Sequence, residues 1–222
     1  MMSDAGDTAV REDNHHQSTT SNTKPKAGEN GGNTSCTSAP SAVDAFNFDP
    51  ASLTAPGNSR PTNGNHFMDM AFAAARDALT HQEVPVGCVF VRGGRLLATG
   101  RNTVNETKNA TRHAELNCAD LVYARCEEAG LSPDSLWAQI DVFVTVEPCV
   151  MCAAALIELG VRSVTYGAAN QRFGGCGSVV NVPQMMPSSV TFVQDPGRVD
   201  EAVGLLKEFY KGENPNAPRP QG

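Results

Sequence analysis

Two short motifs constrain this chain more than any other feature of its sequence. One is His113-x-Glu115, and the other places Cys149 and Cys152 directly after Pro148. Each motif precedes a run of residues with high helix propensity, so each puts its metal-binding side chains at the start of a helix. An imidazole and two thiolates can hold one zinc ion only if the fold brings those two helix starts together. The motifs therefore predict a metal that links two helices.

The number of ligands indicates chemistry rather than structural support. His113, Cys149 and Cys152 leave the fourth position of a tetrahedral zinc ion open for water, as catalytic sites do. Glu115 points away from His113 on a helix, so we expect it to reach that water and not the metal. This pattern is the signature of zinc-dependent nucleobase deaminases, in which the glutamate transfers protons. Cys-x-x-Cys alone would also suit a redox pair or half of a four-cysteine site, but the chain has no second such pair.

The composition predicts a single domain with extensions. Residues 1–65 are rich in Ser, Thr, Asn, Gly and Pro and are predicted to be disordered, residues 66–212 form the domain, and 213–222 form a short flexible tail. The chain has seven cysteines, no secretory signal pattern and no apolar run of membrane-spanning length. We expect an intracellular protein of a reducing compartment, the nucleus and cytoplasm. The five cysteines outside the motif are predicted to be small apolar residues.

The order of the predicted elements favours an α/β fold. Asn65 is predicted to cap a first helix, a strand over 84–91 turns at Gly93-Gly94, and a second strand covers 95–99. The two motif helices then alternate with strands at 142–146 and 163–166, and a weak strand over 190–193 precedes a last helix. A hairpin followed by alternating helices and strands predicts a three-layer α/β/α domain with one mixed sheet.

Four stretches carry a resemblance to a known family. Residues 83–87, 109–115, 144–153 and 172–178 resemble the tRNA adenosine deaminases, and most of all the catalytic subunits of the eukaryotic heterodimeric enzymes. The resemblance spans about residues 66–216. It implies a cytidine-deaminase-like fold with a mixed five-stranded sheet between helices. It also implies one catalytic Zn²⁺ and conversion of adenosine to inosine at the wobble position of tRNA anticodons.

The resemblance also implies a substrate pocket. Asn102 matches the asparagine that hydrogen-bonds the target base, and Val84 matches a residue that lines the base pocket. The backbone N–H of Ala114 resembles one that holds the base beside zinc, and Asn170 falls where the family contacts the flipped nucleotide. From the sequence alone, both asparagines could equally be turn residues. Glu147 is expected to orient the turn that carries Cys149 rather than to act as a second acid.

The net negative charge of the chain affects which partners it can bind. The chain carries a net charge of −7, whereas affinity for nucleic acid rests largely on neutralising phosphates. The resemblance implies a paralogous non-catalytic subunit that would form a heterodimer with this chain and provide the contacts to tRNA that its negative charge disfavours. A homodimer remains open as an alternative. Three other functions remain open too: a deaminase of free cytosine, guanine or dCMP, a non-catalytic zinc-stabilised RNA-binding subunit, and an RNA- or DNA-editing cytidine deaminase.

Overall fold

A computed structural model describes residues 50–54, 56–57 and 59–211 of the chain. The helices of this part are α1 (Ala51–Thr54), α2 (Gly64–Thr80), α3 (Val104–Thr107), α4 (Ala114–Glu128), α5 (Asp134–Trp137), α6 (Val150–Leu159), α7 (Val182–Met185) and α8 (Val199–Lys211). The strands are β1 (Gly87–Arg92), β2 (Arg95–Arg101), β3 (Ile140–Val146), β4 (Ser163–Ala168) and β5 (Thr191–Gln194). None of the described helices is long and apolar enough to cross a membrane.

Within the described residues, the strands form one five-stranded sheet in the order β2-β1-β3-β4-β5. The pairs β1–β2 and β1–β3 are antiparallel, and β3–β4 and β4–β5 are parallel. Gly93 and Gly94 both have positive φ in the turn between β1 and β2, a conformation that glycine adopts without strain. The mixed sheet predicted from the order of elements is confirmed.

Alternate residues of the central strands face opposite layers of helices. Val89 and Phe143 pack in the core cluster that contains Phe72 of α2. Phe90 and Val144 pack in the cluster that contains residues of α4 and α6. The sheet therefore lies between α2 and α8 on one face and α4 and α6 on the other, as the three-layer prediction required.

Two local predictions are wrong. Asn63 and not Asn65 caps α2, because the Asn63 side-chain oxygen accepts the backbone N–H of His66 at 3.2 Å. β1 begins at Gly87 rather than residue 84, since Pro85 has no N–H to donate to a strand neighbour. The remaining predicted helices and strands occur with ends shifted by a few residues.

Packing begins before the expected domain boundary at residue 66. Leu53 is only 5% exposed and belongs to the core cluster under the sheet. Arg92 donates to the carbonyl of Ser52 at 2.8 Å, and Arg162 donates to the carbonyl of Gly57 at 3.1 Å. These contacts tie Ser52, Leu53 and Gly57 to the domain. The predictions for residues 1–49 and 212–222 lie outside the described residues.

Candidate metal centre and active site

The three predicted metal ligands converge. The Nδ1 atom of His113 lies 3.5 Å from the Sγ atom of Cys149 and 3.5 Å from the Sγ atom of Cys152. One possible ligand atom from each of the three residues lies within 4.8 Å of the others. Atoms at these separations can share a single ion, so the structure supports the predicted ligand set.

Two helix starts create this convergence. His113 and Cys149 both adopt extended backbone as the residues that precede α4 and α6, and Cys152 lies in the first turn of α6. The side chains of His113 and Cys149 do not cap their own helices, and the positive ends of both helix dipoles lie beside these ligand residues. Gly160 ends α6 in the left-handed conformation with φ 71°, which confirms the predicted stop.

The pKa values of the two thiols shift in opposite directions. A hydrogen bond from Cys152 lowers the pKa of the Cys149 thiol to about 4, with a further contribution from His113. Donating that bond, together with burial, raises the pKa of Cys152. The hydrogen bond with Cys149 also raises the pKa of His113. Two adjacent thiols cannot both ionise without a cation between them, so this donor set fits a bound divalent ion.

One side-chain oxygen of Glu115 is buried and has no hydrogen-bond partner among the described residues. Its side chain is almost fully buried, and burial raises the pKa of its carboxyl group. The Oε2 atom finds no hydrogen-bond partner within the part of the chain that the structure describes. A buried polar atom without a partner is costly to a fold. Its position therefore suits a group that meets a substrate or a water when the site is filled.

These residues lie in the wall of an open cavity of about 810 Å³. Of the predicted site residues, Val84, Asn102, His113, Glu115, Cys149 and Asn170 line it. Cys152 and Ala114 are fully buried and do not line it. The cavity is large enough for a nucleoside and is open to solvent, which is the arrangement of a small-molecule or nucleotide site.

The backbone N–H of Ala114 has a partner within the site. It donates to the Oδ1 atom of Asn102 at 2.9 Å, and its contact with the base stays a prediction. Asn102 directly follows β2, as expected, and is buried with its side chain at the cavity wall. The bond fixes the Asn102 amide so that its Nδ2 donor remains for another partner. The sequence could not reveal that these two site residues bind each other.

The side chain of Asn170 stabilises the turn to which the residue belongs. Its Oδ1 atom accepts the backbone N–H of Phe173 at 3.0 Å and that of Arg172 at 3.3 Å. This is the turn role that the sequence left open, and its contact with a nucleotide stays a prediction. Val84 lies half-buried at the cavity wall, as predicted.

Two aromatic residues at the mouth of the cavity were not predicted as site residues. Phe173 is 59% exposed, and the guanidinium of Arg172 lies 5.4 Å from its ring centre. Tyr210 of α8 is 61% exposed and also lines the cavity. In the sequence, Tyr210 stands at helical spacing with Val199, Val203 and Leu206, which is the usual signal of a core residue. Only the position of α8 beside the cavity distinguishes it.

Fold and site together define a zinc-dependent hydrolytic deaminase of the cytidine-deaminase-like class. The sequence profile of the cytidine and deoxycytidylate deaminase zinc-binding region matches residues 61–168. tRNA-specific adenosine deaminase 2 of Xenopus tropicalis is 50% identical over 157 residues, covering 69% of this chain and 92% of the frog protein. The chain belongs to the tRNA-specific adenosine deaminase family.

Solved structures agree with this assignment. One comes from studies of A-to-I editing by tRNA deaminases at the wobble position of transfer RNA. It is 32% identical with a TM-score of 0.55 and covers 64% of this chain and 99% of that one. A guanine deaminase from Nitrosomonas europaea is 22% identical with a TM-score of 0.55, covering 75% of this chain and 95% of that one. At that identity the second likeness shows the fold alone.

Proposed function

We propose that this chain hydrolyses adenosine to inosine at the wobble position of tRNA anticodons and releases ammonia. One observation carries the chemistry: the Oε2 atom of Glu115, which has no hydrogen-bond partner among the described residues, is buried, and its carboxyl group interacts with His113, Cys149 and Cys152. The names of the similar tRNA deaminases support the choice of substrate.

The residues of the chain divide the reaction between them. His113, Cys149 and Cys152 would hold a zinc ion, which when bound makes hydroxide available from water at neutral pH. Glu115 takes the proton of that water at Oε2 and passes it to the ring nitrogen beside C6 of adenine. The water oxygen bonds to C6, and the same carboxylate then takes the proton of the new C6 hydroxyl and delivers it to the amine, which leaves as ammonia when the C6–N bond breaks. Asn102 orients the base through its amide, which Ala114 holds in place.

The mouth of the cavity supports an RNA substrate. A target base cannot react while stacked, and proteins commonly read RNA bases that are splayed out of single-stranded loops. Phe173 and Tyr210 offer exposed aromatic rings next to the cavity, on which neighbouring bases can stack. A deaminase of a free base would have no use for stacking surfaces outside its pocket.

We also propose that the chain works with a second, non-catalytic subunit of similar fold. Its net charge of −7 is unsuited to binding tRNA unaided. A suitable surface includes α7 and β5, whose apolar residues Met185 and Val193 are exposed. Phe192 of β5 packs on the small buried cluster of Ala153, Ile157 and Val182. A homodimer through the same surface is the alternative, because most oligomers are homomeric.

Inosine mapping in purified tRNA tests both proposals. The chain is assayed alone, with its co-purified partner, and as the Glu115→Ala variant with that partner. We expect weak activity alone, inosine at the wobble position with the partner, and none with the variant. Deamination of guanine, cytosine or dCMP but not tRNA would support the free-base alternative. Tight tRNA binding without any inosine would support a non-catalytic subunit, and full activity of the isolated chain would remove the need for a partner.

A substrate of this kind also bears on location. We propose that the chain acts in the nucleus and the cytoplasm, where tRNA is made and used. Cell fractionation followed by immunodetection would test this, and confinement of the chain to another compartment would contradict it.

A further inference from the structure

Glu147 has an unusually complete set of hydrogen bonds for a buried carboxylate. It follows β3 directly, precedes Pro148 and is only 2% exposed. Its Oε1 atom accepts the backbone N–H of Cys176 at 2.9 Å and of Ser178 at 3.1 Å. Its Oε2 atom accepts the backbone N–H of Asn170 at 2.8 Å and the hydroxyl of Ser178. Two bonds to each oxygen compensate the loss of water.

All four donors belong to one segment, residues 170–178, which we name the cavity loop. The loop contributes Asn170, Arg172 and Phe173 to the cavity wall. Three of the four bonds come from backbone N–H groups, so they determine the path of the loop rather than the position of one side chain. Hydrogen bonds to a charged group are worth more than neutral ones, which makes Glu147 the main attachment of this loop.

The fit between carboxylate and loop is close. A Cβ atom added to Gly174 would lie 2.7 Å from both side-chain oxygens of Glu147. Backbone bonds join the same loop to the turn before α6, from Val150 to Phe173 at 3.1 Å and from Gly175 to Pro148 at 2.8 Å. Among the described residues, Glu147 makes no side-chain hydrogen bond to His113, Cys149 or Cys152, so its direct contacts are with the loop.

We propose that Glu147 is a positioning residue that sets substrate affinity by holding the cavity loop in its binding shape. The inference rests on the proposed function, because the substrate is tRNA. Loss of the carboxylate leaves the metal ligands and Glu115 in place and lets the wall formed by Asn170 and Phe173 move. The effect should therefore fall on KM rather than on kcat or metal content.

The test is Glu147→Gln in the full-length chain with its co-purified partner. Glutamine keeps the size of the side chain but replaces one acceptor oxygen with a donor, so at least one loop bond is lost. We expect about one zinc per chain, kcat within about threefold of wild type, and KM for tRNA raised about tenfold.

Asp141→Asn is the matched control. Asp141 lies near the other end of β3, is also 2% exposed, and accepts bonds from Arg162 at 2.9 Å and Ser163 at 2.6 Å. It should lose a similar amount of thermal stability while KM stays at the wild-type value. An equal rise of KM in both variants would reduce Glu147 to a general stabilising residue and overturn the proposal. The proposal would also be overturned if Glu147→Gln lost its zinc while Asp141→Asn kept a full zinc content.

Ser178→Ala gives a second measurement that does not risk the fold, because Ser178 is exposed and supplies only one hydroxyl bond to the carboxylate. We expect KM to rise about threefold with kcat unchanged. An unchanged KM in this variant counts against the proposal. If wild type itself forms no inosine, the proposed function fails. If wild type forms inosine and the Glu147→Gln and Ser178→Ala variants have the wild-type KM, the proposed function stands and only this inference fails.

Discussion

The backbone N–H of Ala114 donates to the side-chain oxygen of Asn102 at 2.9 Å and thereby fixes the orientation of its amide. This bond gives Asn102 two separable functions. Its oxygen satisfies a buried donor at the start of α4, and its nitrogen is left to face the cavity. A substitution that changes only one of these groups can therefore distinguish the two roles.

Asn102→Asp should keep the fold and lose much of the activity. An aspartate oxygen can still accept the Ala114 N–H, so the melting temperature should stay near wild type, whereas the donor to the base is gone. Asn102→Ala loses both and should cost about 1–3 kcal/mol of unfolding free energy, because a buried N–H is left unpaired. Calorimetry and inosine formation measure the two effects. Equal stability of the two variants would show that the bond is not important to the fold.

Replacing Glu115 by alanine should remove catalysis and spare the fold. The residue is not a metal ligand and its Oε2 atom has no partner among the described residues, so zinc and stability should be retained. Loss of a general acid/base typically lowers kcat by about 10²–10⁴-fold. Glu128→Ala, an exposed change on the same helix, is the control and should be fully active. Turnover near wild type in Glu115→Ala would assign the proton transfers to another residue.

Cys149→Ala should lose both metal and activity. The ion would join the starts of α4 and α6, so its loss should also lower the melting temperature. Cys126→Ala is the control, since Cys126 is a buried thiol of α4 outside the metal cluster. Zinc content by elemental analysis measures the outcome. Full occupancy in Cys149→Ala would contradict the ligand assignment.

Truncation should distinguish two parts of the N-terminal region. Deleting residues 1–49 should leave stability unchanged, because their composition lacks the apolar residues of a core. Deleting 1–60 also removes the buried Leu53, and the Leu53→Ala variant alone should cost about 2–5 kcal/mol. Leu131→Ala, at an exposed position, is the control. Equal melting temperatures for the two truncations would show that residues 50–60 add nothing.

The sequence was sufficient where function depends on local spacing. His113 and Cys149 each precede a strong helix former and Cys152 follows one turn later, which is why the sequence could predict their convergence, and the stop of α6 at Gly160 follows from the conformational freedom of glycine. Contacts between distant residues were not predictable. Arg92 and Arg162 bind carbonyls of residues 52 and 57 across the fold, and no local pattern announces that. Asn63 and Asn65 are equally good caps by type, so only the final packing selects one.

Gly174 and Gly175 limit how the specificity of this enzyme can be redesigned. A Cβ atom on either residue would collide with Glu147 or with the backbone at Cys149 and Val150. Mutant libraries should therefore leave both glycines fixed and vary Gln171, Phe173 and Val179, whose side chains line the cavity and are exposed. Diversity at these rim positions can alter which neighbouring nucleotides are accepted without disturbing the catalytic centre beneath.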